Sequence, residues 1–151
     1  MACWIGVDYG TKRIGLAVAD PGNTMAFPET TLPAAGTAPK DARQILDWAR
    51  SRDAGGIVLG LPINMDGTEG PQAALSRRLA EQLLALGDLP VELWDERLSS
   101  FAADQVLDAA AVRRSRRRNL RDALAAQVIL QSFLDARRAT PPEGDSPTGD
   151  S

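Results

Sequence analysis

Three apolar runs in this sequence end on acid or amide side chains: "WIGVD" stops at Asp8, "IVLGLPINMD" reaches Asn64 and Asp66, and "VELWDE" ends on Asp95 and Glu96. Such oxygen groups can bind hard divalent cations, orient water or carry protons. The rest of the composition narrows that choice. There is no histidine and one cysteine, Cys3, so a Ser-His-Asp triad, a Cys-His pair and His- or Cys-rich zinc sites are excluded. Any acids, bases and ligands must be Asp, Glu, Lys, Arg, Tyr or hydroxyls, and carboxylates with a cation such as magnesium are the leading option. Cys3, in an apolar strand, reads as a reduced and packed thiol.

The basic residues are concentrated. "VRRSRRRNLR" places Arg113, Arg114, Arg116, Arg117, Arg118 and Arg121 within nine positions, a local positive field suited to a polyanion, with a solvated arginine face as the alternative. Lys12 and Arg13 follow Asp8 in a short polar turn, where they can contact phosphate or simply be solvated. Over 151 residues the net charge is −3, and the final stretch "ATPPEGDSPTGDS" holds Glu143, Asp145 and Asp150 with no base. Without that tail, residues 1–138 balance at 17 basic and 17 acidic side chains. The tail lacks the apolar surface to offset its ordering entropy and is expected to be disordered. The expectation is one domain over 1–138 and an acidic tail over 139–151. No apolar run approaches ~18 residues and no leader pattern precedes Trp4, so neither a membrane span nor a signal peptide is expected and the location is read as cytoplasmic.

The elements that must position these groups follow from periodicity. Residues 2–8 and 14–20 read as strands joined by a polar turn, and a third strand runs from about Met25 to Leu32, an antiparallel meander. Asp41 to about Arg52 carries Ile45, Trp48 and Ala49 at helical spacing, with Asp41 acidic in the first turn. "GGIVLGL" is a buried strand, "AALSRRLAEQLLAL" a helix with Leu75, Leu79, Leu83 and Leu86 on one face, and "PVELW" a further short strand. Helices over Ser100 to about Ala111 and Leu120 to about Arg138 close the domain, the latter with Leu120, Leu124, Gln127, Val128 and Gln131 down one side. This order predicts an α/β fold: a mixed five-stranded sheet, three antiparallel strands plus two parallel ones, flanked by helices. Ligands of such sheets usually sit beyond the carboxyl ends of the parallel strands. That is where Asp8, Asn64, Asp66, Asp95 and Glu96 fall.

"DYGTKRIGLA", "GLPINMDGTEGPQA", "DERLSS" and "DALAAQVILQ" together resemble the YqgF/RuvX family, whose members are described as Holliday junction resolvases and as nucleases for precursor 16S ribosomal RNA. The resemblance spans about Trp4 to Leu134, and four motifs in order are specific where any one alone is weak. It implies an RNase H-like fold and an acidic triad of Asp8, Glu96 and Asp122 acting as catalytic groups and metal ligands. Magnesium or manganese, as two ions roughly 4 Å apart, would generate the nucleophile and neutralise the leaving oxygen. Lys12, Arg13, Asn64, Arg97, Arg116, Arg117 and Arg118 would contact nucleic acid.

Each group has a structural alternative. Asp8 could be a turn former, Glu96 could pair with Arg97 or Arg13, Asp122 could serve the helix dipole, and "NMDGTEG" could be a loop and nothing more. Three functions compete: a metal-dependent endonuclease acting on structured RNA or branched DNA, a phosphate-binding strand-turn-strand like that of sugar kinases and actin-like ATPases, and a nucleic-acid-binding module without cleavage. The second needs another lobe to close over nucleotide, which 151 residues do not supply. Resolving a four-way junction requires two symmetric cuts and hence a dimer. No apolar stripe or heptad pattern guarantees one, so monomer and homodimer both stand and the reading tilts to precursor 16S RNA, with a Holliday junction as the alternative.

Overall fold

The structure, a computed structural model, describes residues 3–98 and 114–139, with the backbone alone for 114–120 and 139. Strand β1 (Cys3–Tyr9) pairs antiparallel with β2 (Arg13–Ala19), which pairs antiparallel with β3 (Ala26–Pro33). On its other side β1 runs parallel to β4 (Ala54–Leu61), and β4 parallel to β5 (Val91–Asp95), giving the order β3-β2-β1-β4-β5. Helix α1 (Ala38–Ser51) leads into β4, α2 (Pro71–Leu86) into β5, and a 3-10 turn at Glu96–Leu98 follows β5. Helix α3 (Arg114–Ala139) ends the described chain. The expected helix at Ser100–Ala111 and the acidic tail beyond Ala139 lie outside the described residues. No helix among the described residues is long and apolar enough to cross a membrane.

The expected sheet is the observed one, because β1 and β4 are apolar on both faces and can be buried only in the middle of a two-sided layer. One face, bearing Ile5, Val7, Ile14, Leu16, Ile57 and Leu59, packs on Ala42, Ile45, Leu46 and Ala49 of α1 and Leu79, Ala80 and Leu83 of α2. The opposite face, with Ala17, Ala19, Ala26 and Val58, packs on Ala126, Ile129, Leu130, Phe133 and Leu134 of α3 beside Trp4 and Trp94.

Local signals account for the helix starts. Thr37 caps α1, its hydroxyl accepting from the Lys40 amide, and Pro39 stands in the first turn; Gly70 and Pro71 open α2.

Three expectations need correction. α1 begins at Ala38, earlier than Asp41, because Thr37 and Pro39 start it. In α2 the buried stripe is Ala73, Ser76, Leu79, Ala80 and Leu83, while Leu75 and Leu86 are exposed; a leucine count alone could not see that small residues were needed where α2 meets the neighbouring layer. α3 begins at Arg114, so Asp122 lies more than two turns inside the helix and cannot be a first-turn dipole partner. Gln127 and Gln131 do face inward as a pair: the Gln127 and Gln131 amides donate to the Ala26 and Thr24 carbonyls, and the Ala26 amide donates to Gln131. The helix thereby hydrogen-bonds the start of edge strand β3.

Candidate active site

Side chains alternate along β1, so Trp4, Gly6 and Asp8 share the face that α3 covers, while Ile5 and Val7 point to the other core. Asp8 is the last of them, near the carboxyl end of the central strand. Its partner across β2 is Gly15, and one residue beyond the Val7–Leu59 pair on β4 stands Gly60. Glycine on either flank leaves a hollow around the Asp8 carboxylate.

That hollow is filled by backbone and acid. A Cβ on Gly15 would sit 2.0 Å from the Asp122 carbonyl oxygen, and one on Gly6 would sit 2.7 Å from the Ala126 carbonyl, so α3 can lie this close only over glycine. A Cβ on Gly60 would meet Glu96 Oε2 at 2.5 Å; Glu96 thus reaches back from the 3-10 turn to lie over β4. Three elements distant in sequence, the end of β1, the turn after β5 and the third turn of α3, bring Asp8, Glu96 and Asp122 to one edge of the sheet.

Burial and proximity act on two of the three. Burial, and then the Asp122 charge, raise the Asp8 pKa to about 6. Burial, then the charges of Asp8 and Asp95, raise that of Glu96 to about 7. The Asp122 charge thus makes Asp8 harder to ionise, the Asp8 charge does the same to Glu96, and a cation would relieve both. Asp122 is held differently: its Oδ2 accepts from Arg13 Nε at 2.5 Å. Among the described residues no three acidic or cysteine side chains stand in a ready metal-holding group. The donor set, all hard oxygen, suits magnesium or manganese.

The basic residues occupy distinct places. Lys12 is exposed in the β1–β2 turn, and Arg13, at the start of β2, is paired with Asp122. Arg97 grips Asp95 through Nε and Nη2, the latter at 2.7 Å, and Nη1 donates to the Asn64 carbonyl at 3.4 Å. The pairings of Arg13 and Arg97 are therefore with Asp122 and Asp95, different from the Glu96 pairings considered from sequence. The Asn64 amide donates to the Thr68 hydroxyl at 3.0 Å, so it shapes its own loop. Arg116, Arg117 and Arg118 lie in the first turns of α3.

A support for Asp8 was not read from sequence. The hydroxyl of the next residue, Tyr9, donates to Asp41 Oδ2 at 2.5 Å, Asp41 is fully buried and also accepts from the Ala35 amide, and Gln72 Nε2 donates to the Tyr9 carbonyl at 3.0 Å. Burial and this hydrogen bond hold the Tyr9 pKa well above its usual range. The first turns of α1 and α2 thus fix the strand end from the side opposite the acids. The acidic residue in the first turn of α1 was visible; its partner 32 positions earlier was not.

A mixed sheet in the order β3-β2-β1-β4-β5, with acids gathered at its edge, defines an RNase H-like α/β fold. It is shared with Thermus thermophilus RuvC: a structure of that protein in complex with Holliday junction substrate superposes with a TM-score of 0.61 at 16% identity, over 93% of this chain and 98% of that one. The chain belongs to the RuvX family, described as Holliday junction resolvases, which matches residues 2–136. Its curated relatives bear a nuclease name. A protein of Rhodopseudomonas palustris (strain BisB5) called "Putative pre-16S rRNA nuclease" is 48% identical over 132 residues, 87% of this chain and 81% of that protein. One of the same name from Myxococcus xanthus (strain DK1622) is 45% identical over 141 residues, 93% of this chain and 91% of that one.

Proposed function

We propose that this protein is a divalent-metal-dependent endonuclease that hydrolyses a phosphodiester bond in structured RNA, its substrate being precursor 16S ribosomal RNA. The observation that carries this reading is the convergence of three acids on the carboxyl end of the central strand: Asp8 stands near the end of β1, Glu96 lies over Gly60 of β4, and α3 brings Asp122 across Gly15 of β2. Half-buried acids beside a like charge cost stability, and such an arrangement is characteristic of sites that hold a cation or a proton for chemistry.

Asp8, Glu96 and Asp122 would hold magnesium or manganese, as two ions. When bound, the metal supplies a nucleophilic water at neutral pH and charge neutralisation for the leaving oxygen. The chain's own groups do the rest. Asp8 is presented from a strand pinned by Asp41 and Gln72, which limits its movement as substrate binds. Arg13 neutralises Asp122 and stands where a phosphate can compete for its guanidinium. Lys12 and Arg97 flank the same edge, and the arginines at 116–118 add a sequence-independent attraction for the backbone. Asn64 acts by holding the loop after β4 in shape.

The test is magnesium-dependent cleavage of precursor 16S RNA beside a four-way DNA junction, with Asp8→Asn as control. Cleavage of the RNA by the parent and not by the variant is expected. The family description favours the junction as a second reading, and preferential cleavage of the DNA would select it. Equal cleavage by Asp8→Asn and the parent overturns the site assignment.

A further inference from the structure

The loop between β4 and α2 is more tightly built than its composition of turn residues requires. The Asn64 amide donates to the Thr68 carbonyl and the Gly67 amide to the Asn64 carbonyl, both at 2.8 Å, and Gly67 has a φ of 90°, so the chain reverses sharply. Asp66 Oδ1 accepts from both the amide and the hydroxyl of Thr68, at 3.0 and 2.6 Å. Ile63 bridges to Glu69, and Glu69 receives two bonds of 2.6 Å from Arg77 on α2. Arg97 ties the loop to the turn that carries Glu96. These bonds come from the residues on either side of Met65, whose side chain is left 89% exposed at the tip.

Single exposed apolar residues are common on protein surfaces. This one differs in being the most exposed large apolar side chain among the described residues, on a hydrogen-bonded hairpin fastened beside the candidate active site. The hairpin is also unsuited to gripping phosphate. From Asn64 to Glu69 it carries no base, Glu69 is paired with Arg77 and Asp66 is bonded to Thr68, so the tip offers a phosphate no cation of its own and presents the Met65 thioether instead.

Resting on the nuclease reading, we infer that Met65 is a wedge that enters the base stack of structured RNA next to the scissile phosphate. Slender apolar side chains, methionine among them, can insert between base steps, and the contact surface gained offsets the unstacking. The polarisable thioether adapts to any base, giving recognition of a helical distortion without sequence preference. A loop already fixed by its own bonds loses little conformational entropy when the tip inserts.

The experiment uses an RNA hairpin with 2-aminopurine beside the cleavage position, bound by an uncleaving Asp8→Asn background. Binding should raise the fluorescence as the base unstacks. Met65→Leu should keep that rise, and Met65→Ala and Met65→Gln should lose most of it while still binding. With Asp8 intact, Met65→Ala should cut cleavage of the helical substrate about tenfold and that of an unstructured strand by less than about twofold, the size of a lost unstacking contribution. If the parent binds and cleaves RNA but fluorescence does not change, or Met65→Ala cleaves both substrates like the parent, the wedge is wrong while the nuclease stands. If the parent neither binds nor cleaves RNA, both fall.

Discussion

The two faces of the sheet are built from the same five strands and solve opposite problems. Toward α1 and α2 the strands present Ile5, Val7, Ile14, Leu16, Ile57 and Leu59, all fully buried, and the helices meet them through aliphatic side chains. Toward α3 the same strands present Gly6, Gly15 and Gly60, so a helix backbone and a glutamate lie where side chains would otherwise be. The first face accumulates hydrophobic stabilisation. The second gives some of it up to place carboxylates close together, and Asp8 belongs to it by one step of strand alternation. A site of repelling acids is tolerable on this fold because the opposite layer is large and apolar.

The contrast is broken most severely at Asp8. Asp8→Asn should lower cleavage at least about a thousandfold, equivalent to roughly 4 kcal/mol in the barrier, yet melt in chelator at or above the parent's temperature, since it removes a repelling charge. Cleavage assays beside thermal melts in magnesium and chelator check this. A variant that melts well below the parent in chelator and still cleaves would make Asp8 a structural residue.

Leu59→Ala attacks the other face and should do the reverse. Loss of a fully buried leucine costs about 2–5 kcal/mol, while turnover per folded molecule stays near the parent's value. Urea denaturation with activity normalised to folded fraction separates the two quantities.

Gly15→Ala should combine both effects. Its Cβ would collide with the Asp122 carbonyl, so α3 must shift, with an overpacking cost of about 1–3 kcal/mol. The displaced Asp122 should cost activity on the order of a hundredfold, more than the stability loss explains. A Gly15→Ala protein as active as the parent would separate α3's approach from the chemistry.

The effect that involves no reacting substrate is on the pH dependence of stability. Asp8 and Glu96 have native pKa values of about 6 and about 7, above their ordinary 3.8 and 4.5. Across that window the folded state binds more protons than the unfolded chain. Stability should therefore fall as pH rises from about 4 to 8, and the penalty should be complete above about 8, at no more than roughly 3 kcal/mol per group. Melting of the parent and of an Asp8→Asn/Glu96→Gln double variant in chelator measures this: the parent should lose the larger margin from pH 5 to 8, and magnesium should restore it.

Sequence periodicity was enough to define the sheet, since two-sided apolar strands such as β4 and alternating ones such as β2 bury themselves in only a few ways. Family motifs nominated Asp8, Glu96 and Asp122 because motif order is a property of sequence. What needed tertiary structure was everything set by contacts between distant positions. Nothing local to Tyr9 indicates Asp41 as its partner, and a glycine inside a strand does not reveal whether a helix carbonyl or a glutamate will occupy its missing side chain. Arg13 could as well have faced Glu96 as Asp122, because salt-bridge choice depends on how α3 crosses β2. Residue types and their spacing determined which groups reach the sheet edge; the crossing of α3 over glycine and the return of Glu96 across β4 decided how deeply Asp8 and Glu96 are covered and how close the acids come, and burial first and neighbouring charge second raise the pKa values of those two.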